Sequence, residues 1–518
     1  MKITTRKNTG KQKQAYQLRK LVNQNTFALV ETYNLRGNSQ LDQLTYWTNN
    51  CYNELMYLMR QQYFANSEKF KQQMRDYKRK RTKTKPKWDK TYSNRDLFDI
   101  LVRQDQNGQN TLLRDCPNRH ILQDLIKTVK QTWTNYYKTK ADYNKHPYKY
   151  LAKPSIPHYL KKNKRHSVNI NNQTIQYKNG YFTNGKLGLK IKASDNLKQA
   201  LTNPTNDPYL AKIKPKSIIG TYWLKPITGY DYKLCVTYLV SKKPRQTYKG
   251  QPVPDRQSNI YVAGDPGVDN LMTLITNNID YHPLIINGKG LKSVNHYYNK
   301  RLHELKHLAT QYKQKPITIH KKDGTIQTIY RTGKRAEKLT AWRNSKLHEA
   351  IHKATDKILE YAINCGASKI IIGRNKYWKQ KSKLGKTNNQ NFVGLPHWKV
   401  IQMLSYKAKL YGIQVISQPE AYTSQTSFLD NELPIWQNGD KARKQLGKSP
   451  IKRRIKRGLY KTNIGHLINA DVNGALQIGH KYNHNYNLQV FCNSSNQPVT
   501  TKQIIRCVLH PVKWSPLF

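Results

Sequence analysis

The sequence predicts a multidomain chain of the α+β class, with an α/β domain in its second half. Two observations carry that prediction. At 518 residues the chain exceeds what one hydrophobic core usually organises, so two to four domains are expected. Its apolar patterning also changes twice. Helical spacing holds from about residue 41 to 145, short alternating runs broken by Asn-Gly follow to about 240, and strands alternate with helices from 259 onward.

Taken in order, residues 1–24 are polar, basic and without apolar periodicity, and read as a basic arm. Asn25 to Asn34 alternates β-branched and aromatic residues and predicts a strand. Asn38 or Ser39 can cap the helix that follows. From Leu41 through about Tyr63 the apolar residues Leu41, Leu44, Trp47, Cys51, Leu55, Leu58 and Met59 recur at three and four. Further helices are expected at about 66–81, 94–104 and 118–138, giving a helical domain over 41–145. Lys78-Arg-Lys-Arg-Thr-Lys-Thr-Lys-Pro-Lys87 is a basic run, read as a solvated loop, a nucleic-acid patch or an import signal. Strands are predicted at 167–177, 187–193, 217–225 and 232–240, with Asn179-Gly180 and Asn184-Gly185 as hairpin turns. With the strand at 25–34 these predict a small β-barrel over 25–40 and 146–240. Segment 241–258 reads as a linker.

From 259 the pattern is denser. Asn259 to Asp265 is an apolar strand ending in Gly-Asp. Leu271–Ile275 and Leu284–Asn287 are the next strands. A helical excursion over about 290–313, a hairpin-like stretch and another helix reach 345. Helix 346–364 ends at Gly366. Strand 369–373, helix 397–411, strand 413–416 and a final helix at 469–478 complete the domain, and 481–518 reads as a tail. Three adjacent strands, then helix–strand–helix–strand–helix, is the order of an RNase H-like fold.

Charge narrows the function. Lys and Arg number 91 against 30 Asp and Glu, a formal net charge of +61. A folded chain so charged repels itself, and a polyanion relieves that repulsion. Duplex nucleic acid offers one negative charge per ~1.7 Å, and the 36 tyrosines suit wet, base-stacking surfaces. An anionic membrane surface is the competing polyanion; no run of 18 apolar residues and no signal-peptide core is present, so a spanning helix is excluded, and nucleic acid rather than a membrane is the expected partner. The six cysteines (Cys51, Cys116, Cys235, Cys365, Cys492 and Cys507) form no C-x-x-C pair, which argues against a zinc site and a disulfide framework.

Scarcity makes the acids informative. None lies between Glu360 and Glu420, none between Asp440 and Asp471, and Asp471 is the last in the chain. Cleaving a phosphodiester with divalent cations needs several carboxylates converging on the ions. Asp265 closes the first strand of the RNase H-like order. Glu420 follows strand 413–416 by a short turn. Asp471 opens the last helix, in Asn469-Ala-Asp-Val-Asn-Gly-Ala475, where small residues allow close packing on a sheet. Each could instead be a turn, loop or helix-start acid. Taken together, on those elements in that order, they predict a catalytic and metal-binding set, with Asp269 and Glu360 in reserve. Trp342, Trp378 and Trp398, flanked by Lys or Arg, are candidates for base stacking or for the core.

Gly264-Asp-Pro-Gly-Val-Asp-Asn-Leu-Met-Thr-Leu274 and Asn469-Ala-Asp-Val-Asn-Gly-Ala475 resemble the first and third RuvC motifs of the TnpB family. These are RNA-guided nucleases encoded by insertion sequences, related to the Fanzor proteins and the compact type V CRISPR effectors. The resemblance covers about 259–480 and extends more weakly to the N-terminal half, where it implies a wedge-like β-barrel with an inserted helical recognition domain. Two departures stand out. Most of the family ends the strand matching 369–372 in Glu, whereas Gly373-Arg-Asn-Lys376 stands here, and Glu420 matches the relocated glutamate of a subset. Many relatives also carry zinc-binding cysteines after the Tyr422-Thr-Ser segment; none stands here, so the target-strand loop region of about 422–465 is expected to be zinc-free.

The resemblance implies an RNA-guided DNA endonuclease that works beside a short protein-read motif. Asp265 would bridge two Mg²⁺ ions, with Mn²⁺ able to substitute, and Glu420 and Asp471 would bind one ion each. Arg457 is a possible phosphate-binding residue, with ordinary backbone binding as the alternative. The expected partners are a guide RNA (omega RNA) and double-stranded target DNA, bound by a monomer rather than a dimer. The implied location is cytoplasmic, at the nucleoid, in a prokaryote, or nuclear for a eukaryotic or viral chain. Competing readings are a guide-directed repressor that does not cut and a guide-independent resolvase or transposase.

Overall fold

A computed structural model describes residues 26–79, 84, 86–89, 91–116, 118–162, 164–171, 174–202, 219–227, 232–241, 257–314, 316–320, 325–374, 394–432, 454–456, 458–463, 465–483 and 488–516. The chain divides into two units, Met1–Ser241 and Lys242–Phe518. The expected basic arm and most of the expected linker lie outside the described residues.

In the first unit, β1 (Thr26–Leu35) runs into α1 (Ser39–Lys78), and the Asn38 side chain caps the helix by accepting from the Leu41 N–H at 2.8 Å. Two helices were expected over 41–81; the structure has one. Neither Gly nor Pro falls between Tyr63 and Asn66, so nothing interrupts the hydrogen-bond ladder there. Next come α2 (Asn94–Gln106), opened by a Ser93/Asp96 capping box, and α3 (Arg119–Lys145), which runs past its expected end at 138. The β-rich part holds β2 (Val168–Asn171), β3 (Gln176–Lys178), β4 (Tyr181–Asn184), β5 (Leu189–Lys192), α4 (Asp195–Thr202), β6 (Ile219–Pro226) and β7 (Tyr232–Ser241).

Among the described residues these strands do not close into the single barrel the sequence predicts. They form an antiparallel four-stranded sheet, β1-β7-β6-β2, and a separate three-stranded one, β3-β4-β5. The strand expected over 167–177 is divided between the two sheets. Asn179 and Gly180 both have positive φ, 50° and 78°, which makes the predicted tight turn between β3 and β4. Asn184-Gly185 is not a second such turn: a short 3₁₀ segment, Gly185–Leu187, leads to Gly188 in the left-handed region and joins β4 to β5. Helices and sheets share one core, with Leu41, Leu55 and Met56 of α1, Val129 and Trp133 of α3, Phe182 of β4 and Leu234 of β7 all buried in it.

The second unit is built on a six-stranded sheet. Its elements are β8 (Gln257–Asp265), β9 (Asn270–Thr276), β10 (Leu284–Asn287), α5 (Lys289–Gln311), the hairpin β11 (Pro316–His320) and β12 (Ile326–Tyr330), α6 (Gly333–Asn364), β13 (Ala367–Gly373), α7 (His397–Leu410), β14 (Gln414–Gln418), β15 (Arg454–Lys456), β16 (Leu459–Lys461), β17 (Leu467–Asn469), α8 (Ala470–Tyr482), α9 (Thr501–Leu509) and β18 (Val512–Trp514). The sheet order is β14-β13-β8-β9-β10-β18, and β9 alone runs antiparallel to its neighbours. Two expectations are corrected. The helices expected on either side of 345 are one, α6. The C-terminal stretch is no tail, since α9 and β18 follow and β18 adds the sixth strand beside β10.

Alternate strand residues face opposite sides of a sheet. Val262, Leu274, Ile370 and Ile372 pack with Leu347, Ile351 and Ile358 of α6 and Leu404 of α7 on one side. Ala263, Ile275 and Ile371 pack with Ala475, Leu476 and Ile478 of α8 and Val508 of α9 on the other. Burial on both faces explains why these strands read as near-continuous apolar runs. No helix among the described residues is long and apolar enough to cross a membrane.

Candidate active site

Small residues let α8 lie close on the sheet. A Cβ on Gly479 would stand 3.2 Å from the Tyr261 ring and 3.3 Å from Ala263 Cβ. One turn earlier the contact is tighter, and a Cβ on Gly474 would fall on Asp265 Oδ2. The carboxyl of Asp265 therefore occupies the space that a side chain at 474 would take. Asp471, one turn before Gly474, opens the same helix. Asn469 caps that helix, accepting from the Asp471 N–H at 2.9 Å, and Asn270 Nδ2 donates to Asp471 Oδ2 at 2.7 Å. Asn270 lies five positions past Asp265, so one tight turn carries the first acid and orients the third.

Glu420 reaches the same edge by a different route. Ile372 of β13 is level with Gly264 of β8, so Gly373 stands beside Asp265 at roughly the 4.8 Å spacing of neighbouring strands. Gln418, the last residue of β14, pairs with Gly373, and the chain then turns back over that strand end. A Cβ on Gly373 would lie 3.0 Å from Glu420 Oε2, 3.2 Å from Glu420 Cβ and 2.5 Å from Ile478 Cδ1. The glutamate thus fills the place that a side chain at 373 would occupy, which gives the Gly-for-Glu departure a steric reason. Its loop is fastened by Thr423 Oγ1 donating to the Glu420 carbonyl at 2.8 Å and by Lys481 Nζ donating to the Ala421 carbonyl at 3.1 Å, while Tyr422 adopts φ 68°. Burial pushes the Glu420 carboxyl up to about 7.

Beyond Glu420, the loop is tied to α8 by polar side chains. Asn473 Nδ2 donates to the Thr426 carbonyl at 2.8 Å and its Oδ1 accepts from the Phe428 N–H at 3.1 Å. Glu432 accepts from the Ser427 N–H at 2.7 Å, and Asp430 from the Asn463 N–H at 2.8 Å.

The reserve acids are paired with lysines: Asp269 with Lys292 at 3.0 Å and Glu360 with Lys357 at 3.2 Å. Arg457 and Trp378 lie outside the described residues. Trp342 is partly exposed and meets the Tyr297 ring edge-on at 5.4 Å; Trp398 is also exposed and lies under Arg374. Among the described residues no group of three His, Cys, Asp or Glu side chains is drawn together as a metal cage; Asp265 and Asp471 are linked through Gly474 and Asn270, and Glu420 lies over Gly373 on the strand beside Asp265.

Sequence reasoning assigned no role to Asn270, His397 or Arg374. Buried His397 holds the Gly267 carbonyl through Nε2 at 2.7 Å and fixes the turn after Asp265. Its only signal was a lone His after Pro396, where a helix begins.

Two family models match this unit. One, described as a probable transposase, covers residues 238–379, and the other, described as a Cas12f1-like TNB domain, covers 397–478. Among solved structures, a cryo-EM structure of a Cas12f1-sgRNA-target DNA complex is 14% identical, covering 85% of this chain and 82% of that one at a TM-score of 0.43. A CRISPR-Cas12f ternary complex is 13% identical, covering 85% and 81% at a TM-score of 0.29. No curated protein matches. The first family model spans the strand that carries Asp265 and the second spans Glu420 and Asp471, so all three candidate acids fall in segments similar to a probable transposase and to a Cas12f1-like TNB domain.

Proposed function

We propose that the chain is an RNA-guided DNA endonuclease of RuvC-like type, with Asp265, Glu420 and Asp471 as its catalytic carboxylates. The observation that supports this reading is that Gly373, over which Glu420 lies, stands level with Asp265 on the adjacent strand, while Asp265 fits against Gly474 of α8. The sheet, in which the second strand along the chain, β9, is the antiparallel one, supports an RNase H-like domain.

The residues fit a hard divalent cation. All three donors are carboxylate oxygens, which suit Mg²⁺ or Mn²⁺. Gly474 leaves room for the Asp265 carboxyl. Glu420, pushed toward neutrality by burial, is a group whose ionised form a cation would favour. Asp265, Glu420 and Asp471 would hold the ion or ions. When bound, the metal polarises the phosphoryl group and acidifies water. The chain's own residues supply placement: Asn270 orients Asp471, His397 fixes the turn behind Asp265, and Gly474 and Gly479 bring α8 onto the sheet. The surplus of cations would hold the guide RNA and target DNA, with base pairing rather than the protein reading most of the sequence.

The test begins with sequencing the RNA that co-purifies with the chain, followed by cleavage of a matched duplex in Mg²⁺. Asp265→Ala is expected to slow cleavage about a thousandfold, the several kcal/mol that a catalytic ion supplies, while target binding persists. Undiminished cutting by that variant refutes the site. Wild-type binding without cutting in any divalent metal favours the repressor, and cutting without RNA favours the resolvase.

A further inference from the structure

Arg374 leaves β13 directly after Gly373, the residue over which Glu420 lies. Its N–H donates to the Gln418 carbonyl at 2.7 Å, so the backbone is fixed at the end of the neighbouring strand. The guanidinium carbon sits 3.9 Å from the centre of the Trp398 ring, well inside the ~6 Å range of a cation–π contact. Trp398 is 49% exposed. It is the second residue of α7, and the first, His397, grips Gly267 beside Asp265 at 2.7 Å. One side of the stacked pair is thus tied to the strand end carrying the Glu420 contact, and the other to the turn carrying Asp265.

Among the described residues the Arg374 guanidinium makes no ion pair and donates no hydrogen bond. Its backbone directly follows Gly373, over which Glu420 lies, yet the guanidinium does not neutralise that acid. A ring beneath the guanidinium leaves its planar N–H fork available, and that fork matches two oxygens of one phosphate. The half-exposed indole supplies a stacking surface for a base.

We propose that Arg374 and Trp398 form a nucleotide seat at the rim of the carboxylate site, taking a backbone phosphate of an unpaired DNA strand on the guanidinium and one base on the ring. The proposal rests on the nuclease reading and adds to it the residues that present the single strand to the acids.

The test uses the full chain and a single-stranded DNA oligonucleotide carrying 5-iododeoxyuridine. The mixture is irradiated in metal-free buffer and the adducts are mapped by peptide. An adduct on Trp398 is expected. Arg374→Ala should lower its yield about tenfold and Arg374→Lys less, because a lysine keeps the charge but not the planar fork. Adducts found only elsewhere, or an unchanged Trp398 yield in Arg374→Ala, overturn the proposal. In the guide-loaded complex Arg374→Ala should raise KM about tenfold and leave kcat within about twofold, as loss of uniform binding does; a fall in kcat with KM unchanged also overturns it. If the Trp398 adduct forms as expected but the wild-type complex never cuts, the nuclease reading fails and the seat stands.

Discussion

At Glu420, burial opposes ionisation. A free glutamate titrates near 4.5, and the folded one is pushed up to about 7. Between those values the folded chain holds a proton that the unfolded chain has released. Stability therefore falls as pH rises from about 4.5 through about 7, and it is not recovered above that. In metal-free buffer, Glu420→Gln should remove this slope. Denaturation at pH 5 and pH 8 should show the wild type losing up to about 3 kcal/mol relative to the variant. Parallel curves for the two proteins would place Glu420 in solvent. The position of Glu420 was legible as an acid isolated after a strand. What sequence alone did not disclose is that Gly373 makes way for it, because that needs the register of β13 against β14. Asn270 and His397 were not assigned for a similar reason: their partners lie far along the chain or on another element, and nothing in their spacing shows it.

At the scale of elements, α8 is brought close on the sheet by glycines, and the first unit contains a half-buried polar junction. Gly474→Ala should push the helix off Asp265, since the new methyl would meet that carboxyl. The expected cost is about 2 kcal/mol of overpacking, with cleavage falling further than stability; full activity in that variant contradicts the packing described. In the first unit, Asp42 of α1 accepts from Arg165 at 3.1 Å and from Tyr232, and the arginine lies 5.1 Å from the Tyr232 ring centre. Asp42→Ala strands a largely buried arginine. It should destabilise this unit by about 3 kcal/mol, read as a lower denaturant midpoint, and an unchanged midpoint would remove the junction from the account. Long elements were the most legible. Strong periodicity located α1, α3 and α6, while their lengths were underestimated because sequence offers no reason to continue a helix past its apolar stripe. Alternation identifies strands but not which sheet each joins, so the expected single barrel is two sheets among the described residues. The sixth strand, β18, is three residues long and carries too short a pattern to stand out from a tail.

On the scale of the whole molecule, composition alone pointed to the class of partner. A charge of +61 is relieved by a polyanion, and the few acids left are the candidate positions for chemistry. The account turns on three of them acting around divalent cations at one sheet edge. Glu420 tests this most sharply, because its contribution depends on a loop closing over a glycine rather than on a strand-end acid. The decisive measurement is the cleavage rate of a guide-matched duplex by Glu420→Gln at saturating Mg²⁺. The account predicts a protein at least as stable as wild type at pH 8 that still binds its target and cuts about a thousandfold more slowly. Cutting at the wild-type rate would contradict it.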